Sequence, residues 1–443
     1  MGQLALLGGK PQREKVFPGY KVIGKEERAA ATAVVGSGIL SGFIGAEHPD
    51  FMGGTQVRRF EEAWANAFQT DHAISVNSAT SGLYAAVGAA GVGPGDEVIV
   101  SPFTMVASVT AAIVFNAVPV FADIEPDTYC LSADSIRERI TPRTKAIIIV
   151  HLFGQAADMD AIMAIANEHN LVVIEDAAQA PFATYKGRFV GTIGHMGVFS
   201  LNYHKHIHTG EGGVIVTNDS QFAEKVSLIR NHAEAVVGNR GVTDIINMIG
   251  FNFRMGEMEA AIGICQLKKG PLLINQRREN VAYLEAKLHG INGLSLPVVR
   301  EGCEHVYYVH PVEFDKRAIG ISRDIFVEAL GAELQVTELR EGEGPLVNSG
   351  YVQPIYLEPM FQQRQAYGDK GCPFACPHYG GEVNYNKGIC ANAEHAQYET
   401  LVIHELFRPP MTDRDLDDVA DAFHKVFDNL DILRDYEAKS VRD

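Results

Sequence analysis

Leu171-Val-Val-Ile-Glu-Asp-Ala-Ala-Gln179 contains the pattern on which the fold of this chain depends. A continuous apolar run ends here in two carboxylates, and similar runs recur from about Asp71 to Asn218, separated by segments of helical length. Buried strands that alternate with helices indicate an α/β fold with a mostly parallel sheet covered on both faces. The predicted strands are Ala73–Val76, Glu97–Val100, Val118–Phe121, Ala146–Val150, Leu171–Ile174, Gly197–Ser200 and Gly213–Val216, and the predicted helices include Thr80–Ala90, Thr104–Phe115 and Met159–His169.

The regions on either side of this alternation have a different pattern. Upstream, Phe60, Trp64 and Phe68 recur every four residues, as on the buried face of a helix. Downstream, the pattern predicts a long charged helix, two short strands and an amphipathic terminal helix that begins at a capping threonine. These elements are expected at Asn252–Leu288, Leu294–Pro297, Val306–Val309 and Thr412–Asp435.

The change of pattern near Gly270 predicts two domains. Residues 1–270 are expected to form a large α/β domain, with the N-terminal segment a candidate to pack on the other domain. Residues 271–443 are expected to form a smaller α+β domain. Within it, residues 342–398 are rich in Gly, Pro, Asn and aromatic residues, which favours an insertion of loops packed against the protein over a free linker.

Composition excludes several classes of partner. The 443 residues carry a formal net charge of −17, which argues against nucleic acid and against an anionic membrane surface. No stretch approaches the ~18 apolar residues of a membrane span, and the N-terminus lacks the pattern of a secretory signal. The six scattered cysteines are typical of reduced thiols, so a cytoplasmic location is expected.

Asp176 stands where the strand at 171–174 ends, and in parallel α/β sheets ligands bind at the carboxyl ends of strands. A carboxylate there can keep a pyridine nitrogen protonated, which is what pyridoxal phosphate chemistry needs. Gln179 could then bond the oxygen of the ring. The alternative is that Asp176 only caps a following helix.

Lys205 lies five residues after Ser200 and just before a glycine-rich turn, in the run Phe199-Ser-Leu-Asn-Tyr-His-Lys-His-Ile-His-Thr-Gly-Glu-Gly-Gly213. Most lysines keep their charge in water. The neighbours of this one make sense if its amine is a nucleophile that forms a Schiff base with a carbonyl group.

Two further segments are candidates for binding an anion. Asn77–Gly82 follows a strand and opens a helix with small and hydroxyl side chains, which suits a phosphate at the positive helix end, with Ser200 adding a hydroxyl. The alternative is an ordinary helix cap. Asn252 and Arg254 precede the long helix and could reach an anion, or they could belong to an exposed loop.

Taken together and in this order, these residues resemble the pyridoxal-phosphate-dependent sugar aminotransferases of the DegT/DnrJ/StrS type. That family has the aspartate-aminotransferase-like fold, fold type I of the pyridoxal-phosphate-dependent transferases. The resemblance covers most of the chain and is densest from Phe60 to Leu267. The stretches that carry it are Asn77–Leu83, Gly93–Val100, Val118–Asp123, Thr141–Ala146, His151–Gly154, Glu175–Ala180, Lys205–Gly213 and Asn252–Met255.

The resemblance implies a role for each matching residue. Lys205 matches the lysine that forms the imine with pyridoxal 5'-phosphate (PLP), Asp176 the acid on the pyridine nitrogen, and Gln179 the contact to the ring oxygen. The phosphate positions are matched by Ala79, Thr80 and Ser200. Asn252 matches an asparagine that reaches the cofactor phosphate of the neighbouring subunit, which implies a homodimer with shared active sites.

The implied activity is transfer of an amino group from glutamate or glutamine to a keto-sugar, nucleotide-linked or not, or to a related polyol ketone. A sugar dehydratase of the same cofactor and a catalytically silent regulatory member are the alternatives. Lys205 favours transamination, because the dehydratases carry histidine there, and a silent protein has no need of Lys205, Asp176 and Gln179 together.

The chain departs from the family pattern at the face of the cofactor. Met105 stands where relatives place an aromatic ring over it, so weaker stacking is expected, with Phe103 able to compensate. Tyr307, Tyr308 and His310 are candidates to face substrate. Residues 41–54 are glycine-rich and suit either a loop that closes over ligand or a plain surface loop.

Two groups of histidines and cysteines are spaced closely enough to be considered as metal-binding sites. In both cases satisfied histidines or buried thiols are favoured, and no metal site is predicted. The two groups are His204, His206 and His208, and Cys372, Cys376, His378, Cys390 and His395.

Overall fold

The computed structural model describes residues 3–440 of the chain. Its strands are β1 (His72–Val76), β2 (Glu97–Val100), β3 (Val118–Phe121), β4 (Thr144–Val150), β5 (Val172–Asp176), β6 (Thr184–Tyr185), β7 (Arg188–Phe189), β8 (Met196–Ser200), β9 (Gly213–Thr217), β10 (Leu294–Ser295), β11 (Cys303–Glu304), β12 (His310–Phe314), β13 (Val347–Ser349) and β14 (Leu401–His404). Its α-helices are α1 (Lys25–Ser37), α2 (Thr55–Phe68), α3 (Ala79–Ala89), α4 (Val106–Val114), α5 (Ala133–Arg139), α6 (Met159–His169), α7 (Ser220–Arg230), α8 (Glu257–Leu288), α9 (Lys316–Ile319), α10 (Arg323–Glu333), α11 (Pro359–Gln362), α12 (Ala391–His395), α13 (Asp413–Phe427) and α14 (Leu430–Ser440).

The central sheet has the strand order β1-β9-β8-β5-β4-β2-β3 within the described residues. Strands β3, β2, β4, β5 and β8 run parallel to one another, and β9 is antiparallel to both of its neighbours. The predicted α/β fold with a mostly parallel sheet is therefore confirmed. Asp176 pairs with Val198 near the ends of β5 and β8, so the segments that follow these two strands emerge at the same edge.

Helix α2 packs on the sheet where the lysine-bearing segment begins. Phe60, Trp64 and Phe68 are buried on one face of this helix, as their spacing predicts. The rings of Trp64 and Phe68 lie 5.4 and 4.7 Å from the ring of Phe199 on β8. These contacts hold the end of β8 against the core and thereby position the chain that leads to Lys205.

A second sheet, with the order β10-β12-β14-β13, corrects one prediction. The expected strand Val306–Val309 is wrong, because β12 begins only at His310. Tyr307 has a φ of 48°, which an extended strand does not allow. The N–H groups of Val306 and Tyr308 donate instead to the carbonyls of Gly154 (3.0 Å) and Phe153 (2.7 Å), so this segment is a loop bound to the turn that follows β4.

The long helix also starts later than its pattern predicts. Helix α8 begins at Glu257 and continues through Pro271, whereas Asn252 lies in a bridge with Asn231. The N–H of Phe253 donates to the carbonyl of Arg230 at the end of α7 (3.0 Å), and this pairing keeps the segment outside the helix. The boundary proposed near Gly270 falls inside α8. At this residue the helix packs closely on Phe182, since a Cβ at Gly270 would lie 2.4 Å from the ring of Phe182. The division into domains at this residue remains a proposal.

The chain ends pack together around the second sheet. Leu4 and Phe17 share a hydrophobic core with Leu330 and Phe423, and Arg13 pairs with Asp415 at 2.8 Å. The single terminal helix expected from Thr412 is divided into α13 and α14 by the residues between Phe427 and Leu430.

Residues 342–398 pack against the far edge of the central sheet. The hydroxyl of Tyr385 donates to the carbonyl of Pro119 (2.7 Å), and that of Tyr379 donates to the Glu97 carboxylate (2.8 Å). The ring of Tyr356 lies 5.6 Å from that of Phe121 on the edge strand β3. This segment therefore covers the edge of the sheet as a packed layer of loops.

Candidate active site

A cavity of about 240 Å³ opens at the carboxyl ends of β5 and β8. Seven of the predicted site residues line it: Ala79, Thr80, Met105, Asp176, Gln179, Ser200 and Lys205. Among the described residues, Asn252 is not part of the lining of this cavity. Its side chain accepts a hydrogen bond from Arg254 Nε at 2.8 Å. Residues 41–54 are also absent from the lining.

Lys205 is held in a closed loop with its amine inside the protein. Its N–H donates to the carbonyl of Asn202 (2.9 Å), and Leu201 and Gly212 close the loop through a 2.9 Å backbone hydrogen bond. The Nζ atom lies 4.2 Å from the ring centre of Tyr308. Burial lowers the pKa of Lys205 to about 8, although Asp176 opposes the shift. At neutral pH roughly one amine in ten is therefore unprotonated and nucleophilic.

Asp176 is buried and is held through both of its oxygens. Ser108 Oγ donates to Oδ2 at 2.7 Å, and the N–H of Ala178 donates to Oδ1 at 3.1 Å. Burial raises the pKa of Asp176, against the effect of these bonds and of Lys205. The alternative that Asp176 caps a helix is wrong, because the residues after β5 form a turn and no helix starts there.

The start of α3 provides hydrogen-bond donors at another side of the cavity. Ser78 caps the helix by accepting a hydrogen bond from the N–H of Ser81 (3.1 Å). The N–H groups of Ala79 and Thr80 lie in the first turn, where a helix has no internal acceptors and its dipole favours an anion. A Cβ at Gly213 would lie 2.7 Å from the nitrogen of Ala79, so β9 can pass this close only with glycine.

Gln179 contacts a residue that the sequence did not point to. Its Oε1 accepts from the N–H of Phe153 (2.8 Å), and its Nε2 donates to the hydroxyl of Tyr351 (2.9 Å). The Tyr351 ring makes edge contacts with Phe103 at 5.8 Å and Phe153 at 5.1 Å. Tyr351 comes from the irregular segment 342–398, where no periodic pattern distinguishes one aromatic residue from another.

Ser108 is the other site residue that sequence reasoning missed. It lies on α4, three residues after Met105, and its hydroxyl is 3.2 Å from that of Thr104. One helical turn thus places Met105 at the cavity mouth and Ser108 on Asp176. The hydroxyl pattern Thr104-x-x-x-Ser108 was available in the sequence, but no local signal joins it to an aspartate so far along the chain.

The candidate metal ligands do not assemble. His204 lines the cavity, whereas His206 is hydrogen-bonded through Nε2 to the Val306 carbonyl at 2.9 Å. Burial, with Lys205 and Arg408 adding repulsion, lowers the pKa of His204 to about 4. Among residues 3–440 there is no group of three or more His, Cys, Asp or Glu side chains placed to hold a metal ion.

Comparison with known proteins identifies the family to which the chain belongs. The model of the DegT/DnrJ/EryC1/StrS aminotransferase family matches residues 45–384, which include every predicted site residue. The chain belongs to this aminotransferase family. It is therefore an enzyme, and the predicted family and aminotransferase activity are confirmed.

Curated relatives of this family member extend over most of its length. The spore coat polysaccharide biosynthesis protein SpsC of Bacillus subtilis is 32% identical, over 95% of this chain and 100% of the relative. GDP-perosamine synthase of Caulobacter vibrioides is 40% identical over 63% of this chain and 74% of the relative. The L-glutamine:2-deoxy-scyllo-inosose aminotransferase of Streptomyces lividus is 34% identical over 75% of this chain and 80% of the relative.

Solved structures share the fold of this chain. The aminotransferase from Psychrobacter cryohalolentis has a TM-score of 0.78 and 30% identity, covering 94% of this chain and 99% of the other. DesI, solved in the presence of its TDP-sugar product, has a TM-score of 0.76 and 27% identity and covers 99% of each chain. In the described part of this aminotransferase, no helix has the length and apolar character needed to cross a membrane.

Proposed function

We propose that the protein transfers an amino group from glutamine or glutamate to the ketone carbon of a sugar or cyclitol, with pyridoxal 5'-phosphate held in the cavity. One observation carries this proposal. A buried amine of lowered pKa, a buried carboxylate and a free helix N-terminus line the same cavity at the carboxyl edge of the sheet.

The residues present fit this cofactor. Asp176 is a buried carboxylate whose hydrogen-bond donors are a hydroxyl and a peptide N–H, and a cationic ring nitrogen would offset the cost of burying its charge. The start of α3, with the hydroxyls of Thr80 and Ser200, would hold the phosphate. Gln179 Nε2 keeps one hydrogen beyond its bond to Tyr351, and that hydrogen would reach the ring oxygen.

When bound, the cofactor would supply a carbonyl carbon that takes up an amine and a ring that accepts electrons. The protein's own contribution is proton transfer and orientation. Lys205 in its unprotonated form would carry a proton between the substrate carbon and the carbonyl carbon of the cofactor, which its pKa of about 8 allows near neutral pH. Tyr308 confines the lysine amine, and Asp176 would hold the ring nitrogen when the cofactor is bound.

The lining of the cavity suits a neutral polyol ring. Among the described residues that line the cavity, Lys205 is the only lysine or arginine. This chain alone therefore provides no second cationic side chain in the cavity to bind a diphosphate. Hydroxyl partners are available from Tyr351, Asn202, His204 and Glu211. The names of the relatives include both nucleotide-linked sugars and scyllo-inosose cyclitols, which supports a keto-sugar or keto-cyclitol acceptor and a glutamine donor.

A homodimer is part of this proposal. Asn252 and Arg254 lie outside the cavity of their own chain, and apolar side chains are exposed on the surface near its mouth and elsewhere. Met105 at the mouth is 59% exposed although it is apolar. Exposed apolar residues include Ile39, Leu40, Met105, Val106, Ile245, Ile246 and Ile249. We propose that a second copy covers some of them and that its Asn252 reaches the phosphate end of this cavity.

The test uses purified protein supplied with pyridoxal 5'-phosphate. It is incubated with glutamine or glutamate labelled with ¹⁵N at the α-amine, and with either 2-deoxy-scyllo-inosose or a nucleotide-linked keto-sugar. We expect label in the amine of one ring product. Lys205→Ala should abolish the transfer, and Lys186→Ala, at an exposed lysine paired with Asp160, should not. Failure to bind the cofactor, or label in no ring product, would contradict the proposal.

A further inference from the structure

The loop from His305 to Tyr308 is held by its backbone carbonyls. All four carbonyls accept a hydrogen bond from a side chain, and the four donors come from three separate segments of the chain. The pairs are Arg278 Nε to His305 (2.9 Å), His206 Nε2 to Val306 (2.9 Å), Arg277 Nη1 to Tyr307 (3.0 Å) and Arg408 Nη2 to Tyr308 (3.2 Å). Tyr307 has a φ of 48°, which bulky residues rarely adopt, so the loop is in a strained conformation that these bonds maintain.

Arg277 is the donor in this set whose burial is costly for the fold. Its side chain lies on helix α8 and is fully buried. In the described part of the chain, its Nε and Nη2 atoms have no hydrogen-bond partner. Burying a guanidinium with two unpaired nitrogens costs free energy that an apolar side chain of similar length would not cost. Stability alone therefore gives no reason for an arginine at this position.

Tyr20 links Arg277 to the segment that carries Lys205. The hydroxyl of Tyr20 donates to the carbonyl of His206 at 2.5 Å, and its ring centre lies 4.7 Å from the guanidinium carbon of Arg277. His206 directly follows Lys205 and is itself bound to the loop 305–308. Because these contacts join the lysine segment to the loop, a shift of the loop would change its position relative to the lysine.

Tyr308 is the residue that this loop presents to the cavity. Its ring centre lies 4.2 Å from Nζ of Lys205, and its N–H donates to the carbonyl of Phe153 (2.7 Å). A ring at this distance keeps water from one side of the amine, and loss of water favours the uncharged form. The ring also attracts an ammonium group, but burial is the largest cause of the shift in the pKa of Lys205, which it lowers to about 8.

We propose that Arg277 is a positioning residue for the amino-group transfer. Its bond to the carbonyl of Tyr307 holds the ring of Tyr308 against the amine of Lys205. Arg277 is not among the described residues that line the cavity, so it acts through the loop. This inference rests on the proposed function, because it concerns the lysine that would carry out the transfer.

The test measures the reactivity of Lys205 in protein freed of cofactor. Trace labelling with acetic anhydride over a range of pH, read by mass spectrometry, gives the midpoint at which the amine loses its proton. Arg277→Met keeps a long apolar side chain and removes the donor, so the loop should loosen and water should reach the amine. We expect the midpoint to rise by about one pH unit, which leaves about tenfold less unprotonated amine at pH 7.

Three further variants separate positioning from folding. Arg277→Lys keeps a donor and a charge and should restore most of the original midpoint. Tyr20→Phe keeps the ring next to Arg277 and removes the bond to His206, so it should raise the midpoint by a smaller amount. Lys268→Met, at an exposed lysine on the same helix, should leave the midpoint unchanged.

Other charged or titratable groups also act on the Lys205 amine, and all of them remain in these variants. They are Asp176, His204, Tyr308, Glu405 and Arg408. A shift of the midpoint is therefore due to the changed position of the loop.

An unchanged midpoint in folded Arg277→Met would overturn the proposal, whatever the change in Tm. If Arg277→Met does not fold, an unchanged midpoint in Tyr20→Phe would overturn it. Since the labelling uses neither cofactor nor substrate, its result is independent of whether the proposed transfer occurs.

Discussion

At the scale of the residue, the position of Lys205 decides how readily its amine reacts. Burial lowers its pKa to about 8, against about 10.4 for an exposed lysine. The unprotonated fraction therefore rises as pH increases through about 8 and then levels off. We expect the rate at which borohydride traps pyridoxal phosphate on Lys205 to follow that curve in protein freed of cofactor. A trapping rate that keeps rising to pH 10 would contradict the lowered pKa of Lys205.

Ser108 is expected to act as a positioning residue through Asp176. Its 2.7 Å hydrogen bond stabilises the charged form of a buried carboxylate, and a bond of that kind contributes about 1.5 kcal/mol. Ser108→Ala should therefore raise the pKa of Asp176 further and lower kcat/KM about tenfold. Ser108→Thr, which keeps the hydroxyl, should restore most of the loss. Equal losses in both variants would point to helix packing as the cause.

At the scale of the element, the close approach of β9 to α3 depends on Gly213. A Cβ there would lie 2.7 Å from the nitrogen of Ala79, so Gly213→Ala must shift the start of the helix. We expect weaker binding of pyridoxal phosphate, measured by titration, together with a lower Tm. Gly36→Ala is the matched control, because a Cβ in helix α1 meets nothing within 4 Å and should stabilise the protein by about 0.4–1 kcal/mol.

The end of β5 also carries a buried carboxylate with a structural role. Glu175 accepts hydrogen bonds from the N–H groups of Gly191, Ile193 and Gly194 and lies 2.8 Å from His151 Nε2. Burial alone would raise its pKa, but the bonds from His151 and the backbone hold the pKa below the ordinary value. Its stabilising effect is thus complete above about pH 4.3 and is lost as pH falls further towards its folded pKa.

Replacing this carboxylate tests that assignment. Glu175→Gln should lower the free energy of unfolding at pH 7 by about 2–3 kcal/mol, because an amide cannot accept all of these bonds. The difference between the variant and the original protein should shrink as pH drops below about 4.3. Urea unfolding at several pH values measures both effects. A difference that stays constant with pH would show that Glu175 is not charged in the folded protein.

At the scale of the whole molecule, the packed segment 342–398 contributes Tyr351 to the cavity, and the proposed dimer would add Asn252. If a second copy covers exposed apolar residues such as Met105, light scattering should give twice the mass of the chain. Asn252→Ala should then weaken cofactor binding without changing that mass, since the residue would act across the interface. A monomeric mass with full activity would contradict the proposed shared site.

Sequence patterns were enough to predict the α/β class, the buried face of α2 and the local segments that bear Lys205, Asp176 and the start of α3. Each depends on periodicity or on a motif that neighbouring residues form together. Three other features are visible only in the folded protein: Tyr351 bonds Gln179, Ser108 bonds Asp176, and 306–309 is a loop. Those outcomes depend on hydrogen bonds between distant segments, and the spacing of residues along a chain does not encode which segments meet.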